Sequence, residues 1–426
     1  MPERMLLSRG LYAAFWGVLH LRASAASHVA LIAVWATLSL TGVATHADDA
    51  GFVPFWNGKD FAGWTKVGGG ATYRVEGSEI VGEVGPGPNT FLRTDKTYGN
   101  FVFKVEVKLD IPGNSGLQFR SHQKNGTGQV FGYQCEIDPS PRAWSAGIYD
   151  EGRRGWLFPL AELPDAQKAY RAGEWNQFVI SANGPVLQTS LNGIPCADLI
   201  DTADLEGFIA LQVHAGKEGR IRWRNLLFQD LGVSTWQPMW DGKTFDGWNK
   251  SGGGDWKIEE GAIHGTSVKT EKRHGHLFAN SDYSDFAIRL KYFARQGNSG
   301  LYFRVEQVAG DLGVAGLQAE IDPDKDAGGL YETAGRGWIV HPTLDQVKKW
   351  YKPNQWNEMS VVALDRRIVV HLNGHQTADV KNDPGRTKGR IALQLHGGAD
   401  MDVQFKDIEI LPLTPAATNG NPATSL

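Results

Sequence analysis

Cysteine, methionine and charge of one sign are all scarce in this chain. Two cysteines and five methionines occur in 426 residues, and both cysteines, Cys135 and Cys196, lie in the first half. No Cys/His spacing of the zinc type, no glycine-rich phosphate loop and no Gly-x-Ser-x-Gly elbow is present, so three common site chemistries have no sequence basis. The net charge of −4 offers no positive field to nucleic acid or to an acidic membrane surface. What the chain does have is 52 glycines, 15 tryptophans and only 21% charged residues, a composition expected of a turn-rich, aromatic, all-β protein.

The N-terminus carries a targeting pattern. Arg4, Arg9 and Arg22 precede an uncharged run from Val29 to Val43, followed by the small residues of Ala44-Thr45-His46-Ala47. Residues 1–47 therefore read as a secretory signal cut near Ala47, with export to the periplasm or the outside and no stable membrane span afterwards. An uncleaved anchor is the alternative, and the small-residue exit favours removal. No cysteine lies at the junction to carry a lipid. Export permits a disulfide between Cys135 and Cys196, but Ala319 stands opposite Cys135 in the second half, and two buried free thiols are expected.

The chain contains one domain twice. Asn114-Ser115-Gly116-Leu117-Gln118-Phe119-Arg120 returns as Asn298-Ser299-Gly300-Leu301-Tyr302-Phe303-Arg304, and Gln134-Cys135-Glu136-Ile137-Asp138-Pro139 as Gln318-Ala319-Glu320-Ile321-Asp322-Pro323. Tyr149 to Trp156 matches Tyr331 to Trp338, and Leu211-Gln212-Val213-His214 matches Leu393-Gln394-Leu395-His396. Packing alone preserves apolar residues and turn glycines; repeated Arg, Gln, Glu, Asp, Tyr and His indicate a polar site in each copy. The domains expected are 52–231 and 236–413, followed by a disordered tail at 414–426 that has no core-forming residues. A linker of only a few residues brings the copies close.

Each copy reads as short strands. Phe101–Leu109 and Phe286–Tyr292 alternate with period two, Leu191-Asn192-Gly193 and Leu372-Asn373-Gly374 suit type I′ hairpin turns, and one helical stretch per copy is expected, at Asp165–Arg171 and Leu344–Tyr351. The fold class is a sandwich or jelly roll. Strand alternation places Gln134, Glu136 and Asp138 on one face and Cys135 and Ile137 in the core, with Gln318, Glu320 and Asp322 repeating the pattern. The same rule puts Arg120 beside Gln118, Arg304 beside Tyr302, and Gln212 and Gln394 beside His214 and His396. Tyr149, Arg154 and Trp156, or Tyr331, Arg336 and Trp338, would border the patch. A cross-strand ion pair is the plain alternative for each Arg and Glu, a satisfied hydrogen bond for each His, and a surface loop for His274-Gly275-His276.

At these motifs the chain closely resembles the 3-keto-disaccharide hydrolase family, whose activities are 3-keto-glucoside 1,2-lyase and 3-keto-2-hydroxy-glucal hydratase. The matching residues are Trp56-Asn57-Gly58-Lys59-Asp60-Phe61, Gly113–Gly116, Gln134–Asp138, Gly147-Ile148-Tyr149, Trp175-Asn176, Leu191–Gly193 and Ile209–His214. In the second copy they are Trp240–Lys243, Gly297–Gly300, Gln318–Asp322, Gly329–Tyr331, Trp356-Asn357, Leu372–Gly374 and Ile391–His396. The resemblance implies tandem concanavalin-like β-jelly rolls and a 3-keto-glycoside, or another carbohydrate, as partner. A C3 ketone acidifies the C2 proton, so the site needs a base, a group for the enolate oxygen and an acid for the leaving group. The resemblance implies Glu136 and Glu320 as bases with His214 and His396 as rivals, Arg120 and Arg304 for the enolate, and Tyr149 and Tyr331 as acids. Asn114, Gln134, Asp138, Arg154, Trp156 and Gln212 would bind substrate, as would Asn298, Gln318, Asp322, Arg336, Trp338 and Gln394. The resemblance fixes no cofactor, and a divalent cation held by the carboxylates is an alternative to the arginine. Two other functions fit a jelly roll: a non-catalytic carbohydrate-binding pair, and a retaining β-glucanase with Glu-x-Asp-x-Glu, which Ser140 breaks in the first copy.

Overall fold

The structure, a computed structural model, describes residues 51–414. The leader and nearly all of the tail fall outside those residues.

Short β-rich segments separated by Gly, Asn and Asp turns form four antiparallel sheets, two per copy, stacked as two β-jelly-roll sandwiches. In the first copy the seven-stranded sheet runs, edge to edge, Gly155–Phe158, Ile148–Glu151, Val130–Ile137, Ser115–Gln123, Phe208–Val213, Thr90–Thr94 and Trp64–Gly68. Its eight-stranded partner is centred on Asn100–Ile111, flanked by Asn176–Asn183 and Arg220–Gly232. The second copy repeats this order, with Val314–Ile321 and Ser299–Gln307 in the seven-stranded sheet and Phe286–Gln296 at the centre of the other. One core fills each sandwich. Leu117, Phe119, Cys135, Ile137 and Trp223 meet in the first, Leu301, Phe303, Ala319, Ile321 and Phe405 in the second. Cys135 and Cys196 are both buried free thiols.

The helices differ in length for a local reason. Leu344–Trp350 begins with a capping box, Thr343 and Gln346 satisfying each other's backbone N–H groups. Pro164–Gln167 starts from Leu163, which supplies no side-chain cap, and the stretch expected to reach Arg171 stops after one turn. No helix among the described residues is long and apolar enough to cross a membrane.

The two sandwiches meet through a small apolar cluster, with Ile200, Val186 and Leu205 against Ala287, Val362, Val369 and Leu411. Polar ties surround it: Arg367 pairs with Asp198 at 2.8 Å, and the Thr202 and Ser360 hydroxyls lie 3.0 Å apart.

Candidate functional site

The outer face of each seven-stranded sheet carries a cavity. In the first copy it measures about 660 Å³ and is lined by Asn89, Asn114, Gln134, Glu136, Asp138, Ser140, Arg142, Tyr149, Glu151, Trp156 and His214. The repeated Asn-Ser-Gly turn explains how its floor is built. Asn114 Nδ2 donates to Glu136 Oε1 at 2.6 Å, Ser115 Oγ ties the strand to the Gln212 carbonyl at 2.6 Å, and Gly116 leaves room for Gln134. A Cβ at Gly116 would stand 2.3 Å from the Gln134 side chain, so the glycine lets that amide lie flat on the sheet and reach Glu136. Gln134 Nε2 then donates to Glu136 Oε2 at 2.7 Å and its oxygen accepts from Gln118 at 2.6 Å. Both oxygens of Glu136 are thus fixed from below.

Electrostatics separate Glu136 from Asp138, which follows the end of the Val130–Ile137 strand. Burial raises the Glu136 pKa against the Asn114 and Gln134 hydrogen bonds that lower it. Asp138 is also pushed up by burial, but hydrogen bonds from Ser140 and Arg142 outweigh this and hold it below the usual range. The Arg142 guanidinium donates to Asp138 at 2.8 Å, stands 3.8 Å from Glu136 and lies over Trp144 and Trp156. Burial, with help from Glu151 and Glu136, raises the Tyr149 phenol, which remains a protonated donor near neutrality. His214 Nδ1 lies 2.7 Å from the Ala215 carbonyl; since that oxygen only accepts, Nδ1 carries a proton, and Nε2 is the nitrogen that holds the lone pair when the ring is neutral.

The second cavity is smaller, about 270 Å³, and its lining includes His274, Asn298, Tyr302, Gln318, Glu320, Tyr331, Thr333, Trp338, Gln394 and His396. Asn298 donates to Glu320 at 2.6 Å, and Gly300 gives Gln318 the same passage. Yet Glu320 has no arginine within ion-pair distance among the described residues, and burial raises it to about 8. Tyr302 replaces Gln118, its hydroxyl bonded to Thr333 at 2.7 Å and to Gln394 at 3.3 Å. The His274 ring lies tilted against that of His396, ring centres 4.4 Å apart, and burial next to that ring lowers its pKa to about 4.

Several expected site residues lie elsewhere. Arg120 and Arg304 do not face either cavity, because a bulge breaks the alternation on which their placement rested. The register shifts after Phe119 and Phe303, and both arginines sit at positive φ, 44° and 51°. Arg120 donates instead to the carbonyls of Gly99, Gly184 and Asp204 and to Asn100, and burial lowers its pKa to about 10. Arg304 holds the Ser284 and Asp365 carbonyls. Arg154 is tied to Asp150 and Asp201, and Arg336 to Glu332 and Asp383. Gln212 lies buried under the first cavity with neither side-chain end partnered among the described residues. Asp322 is outside the second cavity's lining, though Asn298 reaches it at 3.4 Å. His274-Gly275-His276 is not a surface loop: His276 is buried in the Gly275–Tyr283 strand, paired opposite Gln394 as Phe91 is opposite Gln212.

Arg142, Glu151 and Asn89 escaped the sequence reading. None is repeated in the second copy, where Thr333 stands for Glu151 and His274 for Asn89. Among the described residues no three His, Cys, Asp or Glu side chains cluster to hold a metal ion.

An open sheet face with a buried carboxylate and aromatic edges is thus built twice, once on each β-jelly-roll sandwich. The model of the 3-keto-alpha-glucoside-1,2-lyase-like domain matches residues 51–229 and again 235–411, and the chain belongs to that family as two tandem copies. A candidate glycosyl hydrolase from Parabacteroides distasonis is similar at 22% identity over 42% of this chain and 94% of its own, with a TM-score of 0.33. Carbohydrate binding module CBM66 from Bacillus subtilis is similar at 14% identity over 39% and 96%, TM-score 0.29. A Bacillus subtilis protein of unknown function with a galectin-like fold is similar at 12% identity over 42% and 96%, TM-score 0.34. No curated protein matches the chain.

Proposed function

We propose that the first copy cleaves glycosides whose glucose unit carries a ketone at C3. The observation that carries this reading is Glu136, a buried carboxylate of raised basicity fixed at the cavity floor beside one cationic side chain. Glu136 takes the C2 proton, and the electron pair moves into the enolate, whose C3 oxygen is met by Arg142. Collapse of the enolate restores the ketone, forms the C1–C2 double bond and breaks the C1–O bond; the departing oxygen takes a proton from Tyr149 or Glu151. Water then adds its hydroxyl to C1 and a proton to C2, releasing the 3-keto sugar. His214, with a free Nε2, is the rival base.

A second reading applies to the second copy. With its carboxyl near 8, Glu320 is protonated at neutral pH and is a poor base there, which favours sugar binding without turnover. For the whole chain, the basic lead, apolar run and Ala44–Ala47 exit support export to the periplasm or beyond; mass spectrometry of the mature N-terminus in the exported fraction tests this.

The deciding experiment incubates the protein in deuterated buffer with a 3-keto-glucoside and with its unoxidised parent. Release and C2 deuteration of the oxidised sugar alone are expected, abolished by Glu136→Gln and retained in Glu320→Gln at pH 7. Unchanged exchange in Glu136→Gln removes this base; release from neither compound leaves a binding protein.

A further inference from the structure

The first cavity does not end at Glu151. Asn89 donates to Glu151 Oε1 at 3.3 Å, and this pair forms a partition. Beyond it a second hollow of about 700 Å³ shares both residues with the first. Its walls are Val67, Pro88, Phe91 and Val130, with the Thr127-Gly128 turn over them, and Glu151 is the one charged residue of its lining. Phe91 and Val130 are themselves packed against Phe208, Ala210 and Val67, so the apolar wall is anchored.

The second copy has closed the corresponding place. Ser251 stands where the first copy has Val67, and His276 where it has Phe91, each in the same strand register. Gln307 Nε2 donates to Ser251 Oγ at 2.8 Å, and the His274 N–H to the Asp311 carbonyl at 2.8 Å, stitching the hairpin turn across the gap. In the first copy Gln123 turns the other way, donating to Gly128 of its own hairpin at 2.9 Å and accepting from Arg93 at 3.0 Å.

We propose that the first copy is a two-compartment site, in which the sugar lies beside Glu136 and an apolar, flat aglycone occupies the hollow against Val67 and Phe91. The second copy has no such compartment and takes only a ligand of monosaccharide size. This rests on the cleavage reading above. The assignment to an aglycone follows from continuity: Asn89 and Glu151 line both hollows, so a group attached at C1 of a sugar in the first can extend over the partition into the second. A further sugar is a poorer occupant: Val67, Pro88, Phe91 and Val130 offer its hydroxyls no partners, and the Gln123 amide is already engaged by Gly128 and Arg93, which leaves Asn89, Thr127, Gln129 and Glu151 at the margins.

The test uses the full chain carrying Glu136→Gln, which stops turnover, and calorimetric titration with methyl, phenyl and glucosyl 3-keto-glucosides of one anomer. The phenyl glycoside should bind about tenfold tighter than the methyl one, from the apolar area it buries. Thr127→Trp, on the exposed turn, and Val67→Trp should each erase that advantage and leave methyl binding unchanged. The proposal is overturned if phenyl and methyl bind alike or not at all, if the glucosyl compound binds tightest, or if the tryptophans weaken both ligands equally. Should Val67→Trp fail to fold, Thr127→Trp decides. Aglycone release by the unsubstituted chain is scored separately: a phenyl preference without release keeps the compartment and removes cleavage, and release without preference does the reverse.

Discussion

The Arg142 guanidinium lies 4.9 Å over the Trp156 ring while its Nε donates to Asp138 at 2.8 Å. A flexible surface arginine is thereby pinned between an aromatic plane and a carboxylate, with its charge directed toward Glu136. That charge lowers the Glu136 pKa against burial.

Removing it should move the pH dependence in a defined direction. A base works above its pKa, so Arg142→Ala should shift the acidic limb of the kcat/KM profile to higher pH. Arg142 is partly solvent-exposed, so the shift should be modest. Loss of the enolate partner should also reduce kcat by about 10²-fold. Steady-state rates from pH 4 to 9 check both; a limb that stays in place shows that Glu136 does not govern it.

Glu320 makes stability depend on pH. Its folded pKa of about 8 lies above the ordinary 4.5. Between these values the folded chain holds a proton that the unfolded chain has released, so stability falls as pH rises, by at most ~1.4 kcal/mol per pH unit for this group. Thermal unfolding followed from pH 5 to 8.5 should show that fall for the parent and a flatter profile for Glu320→Gln. Parallel profiles would show that Glu320 ionises normally.

Arg120 should matter to folding and not to chemistry. Its guanidinium satisfies three carbonyls and Asn100 in the interior, so Arg120→Ala should lower stability by roughly 3–5 kcal/mol, through orphaned acceptors. The folded fraction should retain the parent kcat. A large loss of kcat at unchanged melting temperature would return Arg120 to the site.

Regular pairing was readable from sequence, and departures from it were not. Glu136, Gln134 and Asn114 could be placed because Val130–Ile137 pairs with Ser115–Gln123 in register from Ser115 to Phe119. One residue further on the bulge begins, and Arg120, which follows the same alternation on paper, turns inward. The repeat was a good guide to what both copies share, such as the Asn-to-Glu bond. It was blind to Arg142 and Glu151, which only one copy has, and it misjudged His274 and His276 because their counterparts are Asn89 and Phe91. The bonds of Arg154 and Arg336 depend on Asp201 and Asp383, far away in the chain, and local pattern carries no information about them.

The junction between the sandwiches gives the duplication a ratchet. Asp201 of the first sandwich is buried 3.9 Å from His371 of the second, and Arg154, which holds it, reaches the Gly374 carbonyl at 3.4 Å. Once each repeat had handed such wet, charged groups to its sibling for shelter, neither could be discarded without stranding them. A repeat that loses its own turnover can therefore persist as scaffolding, free to drift toward a different ligand.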